Sequence, residues 1–262
     1  MAEECEVLVV KGGGVATVTL NRPADENRIT REVLLSLLEA AGEIAEDETV
    51  QAVVITGAGR EFFSMGILKP SVRAQYSKAQ ILELVRLANR TYDFIEAMPQ
   101  IVIAALNGAA RAGAAELALA CDIRLASARA TWALPEALWG GFPGAGGPVR
   151  LPQLVGRARA LELICTGREI GAAEMERIGL VQGVFPPDRL LPEAQALAGR
   201  IAASGPLAIR GAKRIMNVRQ APGFTAARAL ADALRHALEF SRDIEEGLVA
   251  HLEGRQARFM GR

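Results

Sequence analysis

Apolar residues come in short runs along the first half of the chain and at helical spacing along the second. Residues 6–10 and 14–20 read as two strands joined by Lys11-Gly-Gly-Gly14, a hairpin signal. NRPADENR is a polar loop. Thr30 is placed to cap a helix through LLSLLEAAGEIAED. AVVITG at 52–57 predicts a buried strand, and GAGREFFSMGILKP an irregular loop after it. Ser77 with Gln80 forms a capping box for a helix that runs to Met98, where Pro99 stops it. IVIAAL then predicts a strand, GAAELALAC a short helix, DIRLAS a strand and ATWAL a short strand.

From Pro148 onward the pattern is almost all helical: VRLPQLVG, ARALELICTG, AAEMERIG and DRLLPEAQALAGRIAAS, then helices with charged faces to the end. The expected organisation is an α/β core over residues 1–200, then a helical region over 201–262 suited to packing on a neighbouring subunit. There is no sequence repeat, low-complexity tract or obvious linker.

Composition narrows the function. Formal net charge is zero, which argues against broad electrostatic capture of nucleic acid or of an anionic membrane. The longest apolar stretch, 101–126, is broken by Asn107, Arg111, Glu116 and Asp122, which a membrane span does not tolerate without partners. Cys5, Cys121 and Cys165 have no metal-ligand spacing and suit a reducing cytosol, and MAEECEVLVVKGGG has acids where an export signal needs bases. A cytoplasmic protein is expected. The two histidines, His236 and His251, both fall in helical sequence near the C-terminus. That leaves little room for serine–histidine or cysteine–histidine chemistry, so acid–base work falls to carboxylates or lysines.

Two carboxylates stand out. Glu116 ends the small-residue run Asn107-Gly-Ala-Ala-Arg-Ala-Gly-Ala-Ala-Glu116 inside an apolar stretch, and Glu136 follows Pro135 in TWALPEALWGGFPGAGG. Apolar surroundings raise a carboxyl pKa toward the range useful for proton transfer. Gly113 precedes the helical pattern, where unpaired N–H groups accumulate, so it offers half of an oxyanion hole. Small residues at a tight helix–strand contact explain it equally well. The loop around Gly66 offers a second half on the same footing.

These segments in this order resemble the enoyl-CoA hydratase/isomerase (crotonase) superfamily. The resemblance rests on VATVTLNRP, AVVITGAGREFFSMG, IVIAALNGAARAGAAELALACDIRLAS, PEALWGGFPGAGG, LELICTGREIGAAEMERIGLV and the EGLVAHLEGR tail. It implies a spiral of ββα units with a helical C-terminal trimerisation region, as a homotrimer or a hexamer built as a dimer of trimers. By position, Gly113 and Ile67 match the two oxyanion donors, and Glu116 and Glu136 match the two hydratase carboxylates. In the family these hold a water over an enoyl thioester; the first activates it to attack Cβ and the second protonates Cα. The implied substrate is an acyl-CoA thioester, with no metal and no cofactor beyond the coenzyme A that the substrate carries. Ser64, Met65, Gly66, Leu68, Leu138 and Trp139 are expected to line the substrate site, with Tyr76 a further candidate.

The chain also departs from the family. The first oxyanion loop reads Ser64-Met-Gly-Ile-Leu68 in place of a sequence close to Ala-Gly-Ala-Asp, so an ungapped alignment puts Gly66 rather than Ile67 at the donor position. Arg28 stands where a small residue is usual near the coenzyme A nucleotide; it either pairs with a phosphate or is simply solvated. Gly254 replaces a common lysine, with Arg255 beside it. The expected activity is hydration of a 2-enoyl-CoA. Double-bond isomerisation, cleavage of a ring thioester, and a non-catalytic binding protein are the alternatives.

Overall fold

The computed structural model describes residues 5–258; residues 1–4 of the acidic N-terminus and the last four of the C-terminal tail lie outside the described residues. The chain opens with the hairpin β1 (Val7–Gly12) and β2 (Val15–Leu20), paired antiparallel from Val7↔Leu20 to Gly12↔Val15. α1 (Arg31–Glu46) follows a loop, and the Thr30 hydroxyl accepts the Val33 N–H as its cap. From here one unit recurs: a long strand, a short strand, then a helix. The first unit is β3 (Ala52–Gly57), β4 (Phe62–Ser64), the four-residue α2 (Pro70–Arg73) and α3 (Lys78–Ala97). The second is β5 (Ile101–Leu106), β6 (Ala109–Arg111) and α4 (Gly113–Ala120). The third is β7 (Ile123–Ser127), β8 (Thr131–Ala133), a 3₁₀ turn over Pro135–Trp139, α5 (Gly147–Val155) and α6 (Arg157–Thr166).

The long strands build one six-stranded sheet in the order β1-β2-β3-β5-β7-β10, where β10 (Val184–Phe185) comes after β9 (Ile170–Gly171) and α7 (Ala172–Arg177). All its pairs except β1–β2 are parallel. β3 is wholly buried and reads as a continuous apolar run, as a parallel strand covered on both faces requires. The short strands stack into a second sheet, β4-β6-β8-β9. Successive units therefore wind into a spiral. Trp132, Tyr92 and Phe63, all fully buried, fill the space between its layers. α8 (Leu190–Ala202) closes the outer side of the long-strand sheet; α9 (Pro206–Glu239) and α10 (Arg242–Leu252) follow, and α10 packs on the 3₁₀ turn and on α2.

The hairpin, the Ser77–Gln80 capping box and the α3 stop at Met98 stand where the sequence pattern puts them. The segment GAGREFFSMGILKP is not one irregular loop. It contains β4 and the start of α2. Likewise β6, β9 and β10 interrupt segments without a strand signal. Strands of two or three residues are too short to show a periodicity of two, and their neighbours in the sheet define them.

Among the described residues, no helix is long and apolar enough to cross a membrane.

Candidate active site

The short sheet positions the site. β4, β6 and β8 are parallel neighbours, with Phe62 opposite Ala109, Ser64 opposite Ala110 across a bulge at Phe63, and Arg111 opposite Ala133. The residues just past their ends must therefore lie side by side: Met65–Leu68 after β4, Ala112–Gly113 after β6, and Leu134–Glu136 after β8. Segments about seventy residues apart in sequence meet here because three successive units end on one edge.

The first two segments touch. Gly66 has φ +82°, and a Cβ there would stand 2.5 Å from the Arg111 carbonyl oxygen and 3.2 Å from the Gly113 nitrogen. A Cβ on Gly113 would meet the Ile67 side chain at 2.7 Å. At Gly66 only glycine permits this approach, since the atoms met are backbone and φ is positive; at Gly113 a Cβ would displace the Ile67 side chain. The Gly66 N–H is committed to the Ser64 hydroxyl at 3.0 Å. For the N–H groups of Ile67 and Gly113, no acceptor is found among the described residues. The carbonyl of each peptide unit is anchored: Ile29 N–H donates to Gly66 O at 3.1 Å, and Glu116 N–H donates to Ala112 O at 3.0 Å. A trans peptide points its N–H opposite to its carbonyl, so both anchors turn the free donors away from their own supports. Ala112 adopts φ 50° and ψ −127°, a conformation an L-residue occupies under strain, and it swings the chain from β6 into α4.

Glu116 sits in the first turn of α4 with 2% of its surface exposed. Its Oε1 accepts the N–H groups of Ala145 and Gly147, each at 2.8 Å. This is the work of the FPGAGG segment: a turn that aims two amides at one carboxylate oxygen. Burial pushes the Glu116 pKa up to about 7, against the opposing pull of those two amides and of Arg150 and Arg228. Glu136 lies at the start of the 3₁₀ turn, and its Oε2 is shielded from solvent without a hydrogen-bond partner. Burial raises its pKa well above the usual carboxylate value, the nearby Glu116 charge raises it further, and Arg235 draws it back. The two carboxyls thus sense one another, and the second is the more reluctant to ionise.

Pro135, next to Glu136 in the chain, lines a cavity of about 430 Å³ together with Met65, Ala112, Leu138, Trp139 and residues of α10 and the tail. Leu138 is 54% exposed. Trp139 meets His251 edge-on at 6.1 Å between ring centres. Lys69, Arg111 and Arg255 add three cations to the wall, paired with Glu26, Glu169 and Glu246. His251, Lys69 and Arg111 carried no sequence signal, because their places depend on how α10 and the β4 loop dock. A larger cavity, about 780 Å³, lies between α9 and the α4–α5 layer around Asp122, Arg150 and Lys213; neither cavity has Glu116, Glu136, Ile67 or Gly113 on its wall.

Of the other expected residues, Ser64 is fully buried and serves the loop itself, while Leu68 packs against the core. Tyr76 is surface-exposed and absent from the cavity wall. Arg28 is neither solvated nor on the cavity wall: it is 5% exposed, with Nη2 directed at the Ile67 carbonyl at 3.4 Å.

The sequence model of the enoyl-CoA hydratase/isomerase family matches residues 11–262. The chain belongs to this family. It is 40% identical over 256 residues to the enoyl-CoA hydratase/isomerase family protein YngF of Bacillus subtilis, covering 97% of this chain and 98% of the relative. Identity to the crotonyl-CoA hydratase of Syntrophomonas wolfei is 36% over 257 residues, 98% of each. The crystal structure of carnitinyl-CoA hydratase from Mycobacterium avium superposes with a TM-score of 0.87 at 31% identity, covering 98% of this chain and 99% of that one. The spiral of strand–strand–helix units is therefore the crotonase fold, and this family member is an enzyme of the hydratase/isomerase kind.

Proposed function

We propose that the protein adds water reversibly across the double bond of a 2-enoyl-CoA thioester. The observation that carries this reading is a pair of shielded carboxyls with unequal surroundings, Glu116 held by two amides of a separate loop and Glu136 by its own backbone N–H with Oε2 unpartnered, near two apposed N–H groups that meet no acceptor among the described residues. Glu116, near 7, is available as the ionised base at neutral pH. It takes a proton from water as the oxygen bonds to Cβ. Glu136, held protonated, delivers its proton to Cα. The Ile67 and Gly113 N–H groups donate to the thioester oxygen, where negative charge collects as Cβ is attacked. One oxyanion donor is worth about 2.7–4 kcal/mol in a comparable site. Proton exchange with solvent then returns Glu116 to the ionised and Glu136 to the protonated form.

The three cations on the cavity wall support coenzyme A as the carrier, since phosphates recruit lysine and arginine. Coenzyme A enters with the substrate, and no other cofactor takes part in the reaction as drawn. Retention of Glu116 favours hydration over isomerisation, because shuttling one proton along an acyl chain needs one base. The family's trimer or dimer of trimers is the proposed assembly in the cytoplasm, and light scattering of the purified protein tests it. The decisive assay follows loss of enoyl thioester absorbance from crotonyl-CoA. Fast loss in the wild type, abolished in Glu116→Gln, supports the hydratase. No loss, together with conversion of a 3-enoyl-CoA, would replace it with the isomerase.

A further inference from the structure

The loop Ser64–Leu68 has no regular structure of its own, yet the proposed donor at Ile67 must be held to a fraction of an ångström. What holds it is the segment 26–29. Glu26 O accepts the Met65 N–H at 3.0 Å, the Ile29 N–H donates to Gly66 O at 3.1 Å, and Lys69 Nζ meets the Glu26 carboxylate at 2.9 Å. The clasp is itself fixed: Glu26 and Asn27 have φ values of 56° and 52°, and the Asn27 side-chain amide donates to Ala58 O and Phe62 O, each at 2.8 Å. Arg28 completes it. Its guanidinium is buried, Nη2 reaches the Ile67 carbonyl at 3.4 Å, Nε stands 3.4 Å from the half-exposed Asp25, and Nη1 is shielded from solvent with no partner.

A buried guanidinium with one incomplete set of partners costs free energy that packing alone does not repay. Its position gives it a use. It sits on the carbonyl of Ile67, the residue whose N–H meets no acceptor among the described residues, so it restrains that residue's backbone and puts a buried charge within one residue of the proposed donor. In a water-poor interior that charge is poorly screened.

We infer that Arg28 is a positioning residue for the second oxyanion donor: it fixes the Ile67 carbonyl from behind the loop while Ile29 fixes the preceding peptide unit, so that the Ile67 N–H between them stays aligned toward the thioester oxygen. The inference rests on the hydratase reading above. It assigns Arg28 to the transition state and not to a phosphate of coenzyme A.

The test uses the whole protein and 4-(dimethylamino)cinnamoyl-CoA, an enoyl thioester whose absorption moves to longer wavelength when its carbonyl is polarised. Arg28→Met should lower kcat on crotonyl-CoA by about 10- to 100-fold with KM within about threefold, the pattern of an interaction made in the transition state. It should also bind the chromophore with a much smaller red shift. Arg28→Lys, which keeps the charge, should recover part of both. Should Arg28→Met not fold, Arg28→Gln is read in the same way. Wild-type kcat and a full red shift in the neutral variant overturn the inference, and so does a loss confined to KM, which would mark a substrate phosphate contact. A wild-type protein that binds the chromophore without any red shift overturns the hydratase reading as well, since no polarising oxyanion hole would then exist.

Discussion

Glu116 and Glu136 are the same residue in two different constructions. Glu116 belongs to a regular helix, is almost wholly buried, and has one oxygen saturated by the Ala145 and Gly147 amides. Glu136 belongs to a 3₁₀ turn and has a shielded oxygen with no partner. Burial raises both pKa values, but only Glu116 has backbone dipoles from a separate loop to offset it. The difference teaches how one fold can set identical side chains apart: the N–H groups that a separate loop aims at Glu116 ease its ionisation ahead of that of Glu136, which is the asymmetry that the proposed base and acid need.

The largest effect that tests this contrast is on turnover. Glu116→Gln and Glu136→Gln should each lower kcat on a 2-enoyl-CoA by about 10²–10⁴-fold, the usual range for an acid–base group, while thioester binding by titration stays within a few-fold. Two variants at full rate would remove the assigned mechanism. In the wild type the rate should rise as pH passes about 7, where the Glu116 base ionises, and fall at higher pH as Glu136 loses its proton. A profile flat from pH 5 to 9 would break the distinction between the two groups.

Gly113→Ala comes next. Its Cβ would lie 2.7 Å from Ile67 Cδ1 and Cγ1, so the Ile67 side chain must move in the loop that carries the other proposed donor. A loss of about 10²–10³-fold in kcat is expected, comparable with deleting one oxyanion donor. Stopped-flow turnover at saturating substrate checks it. A wild-type rate would mean that the two N–H groups do not act together.

A stability measurement sharpens the same comparison. The Glu116 pKa is raised from 4.5 to about 7, so between these values the folded state keeps a proton that the unfolded state has released. Stability therefore falls as pH rises through that window, by about 3 kcal/mol in full for this one group. Glu116→Gln should remove the loss. Urea denaturation at pH 5 and pH 8 is expected to show the variant gaining on the wild type at the higher pH. An identical pH dependence in both proteins would show that burial of Glu116 carries no such cost.

The smallest effect concerns Ala112. Replacing it with glycine relieves a backbone conformation of φ 50°, and a gain of about 1 kcal/mol is expected by thermal denaturation. A lower melting temperature would mean that the conformation at Ala112 is not strained.

Much of the scaffold was legible in the chain. The Ser77–Gln80 box, the Thr30 cap and the continuous apolar run of β3 are local signals, and local physics decides them. The glutamate pair was legible because a carboxylate in an apolar run is conspicuous on its own. The donor in the first loop was not: sequence left Gly66 and Ile67 both open. The structure favours Ile67, since the Gly66 N–H is spent on Ser64 while no acceptor for the Ile67 N–H is found among the described residues. Arg28 looked like a surface or phosphate-binding cation because nothing in its neighbours in sequence shows that it folds inward onto a loop thirty-nine residues away.

The sequence by itself determined the long strands and most of the helices, the apolar core and the two acidic residues, because capping, periodicity and burial preference act over a few residues. Only the tertiary structure decided that β4, β6 and β8 end side by side on one edge, that Gly66 lets two loops touch, and that the FPGAGG turn serves Glu116. These are contacts between segments tens of residues apart, and their geometry follows from the pitch of the spiral, which no single segment encodes.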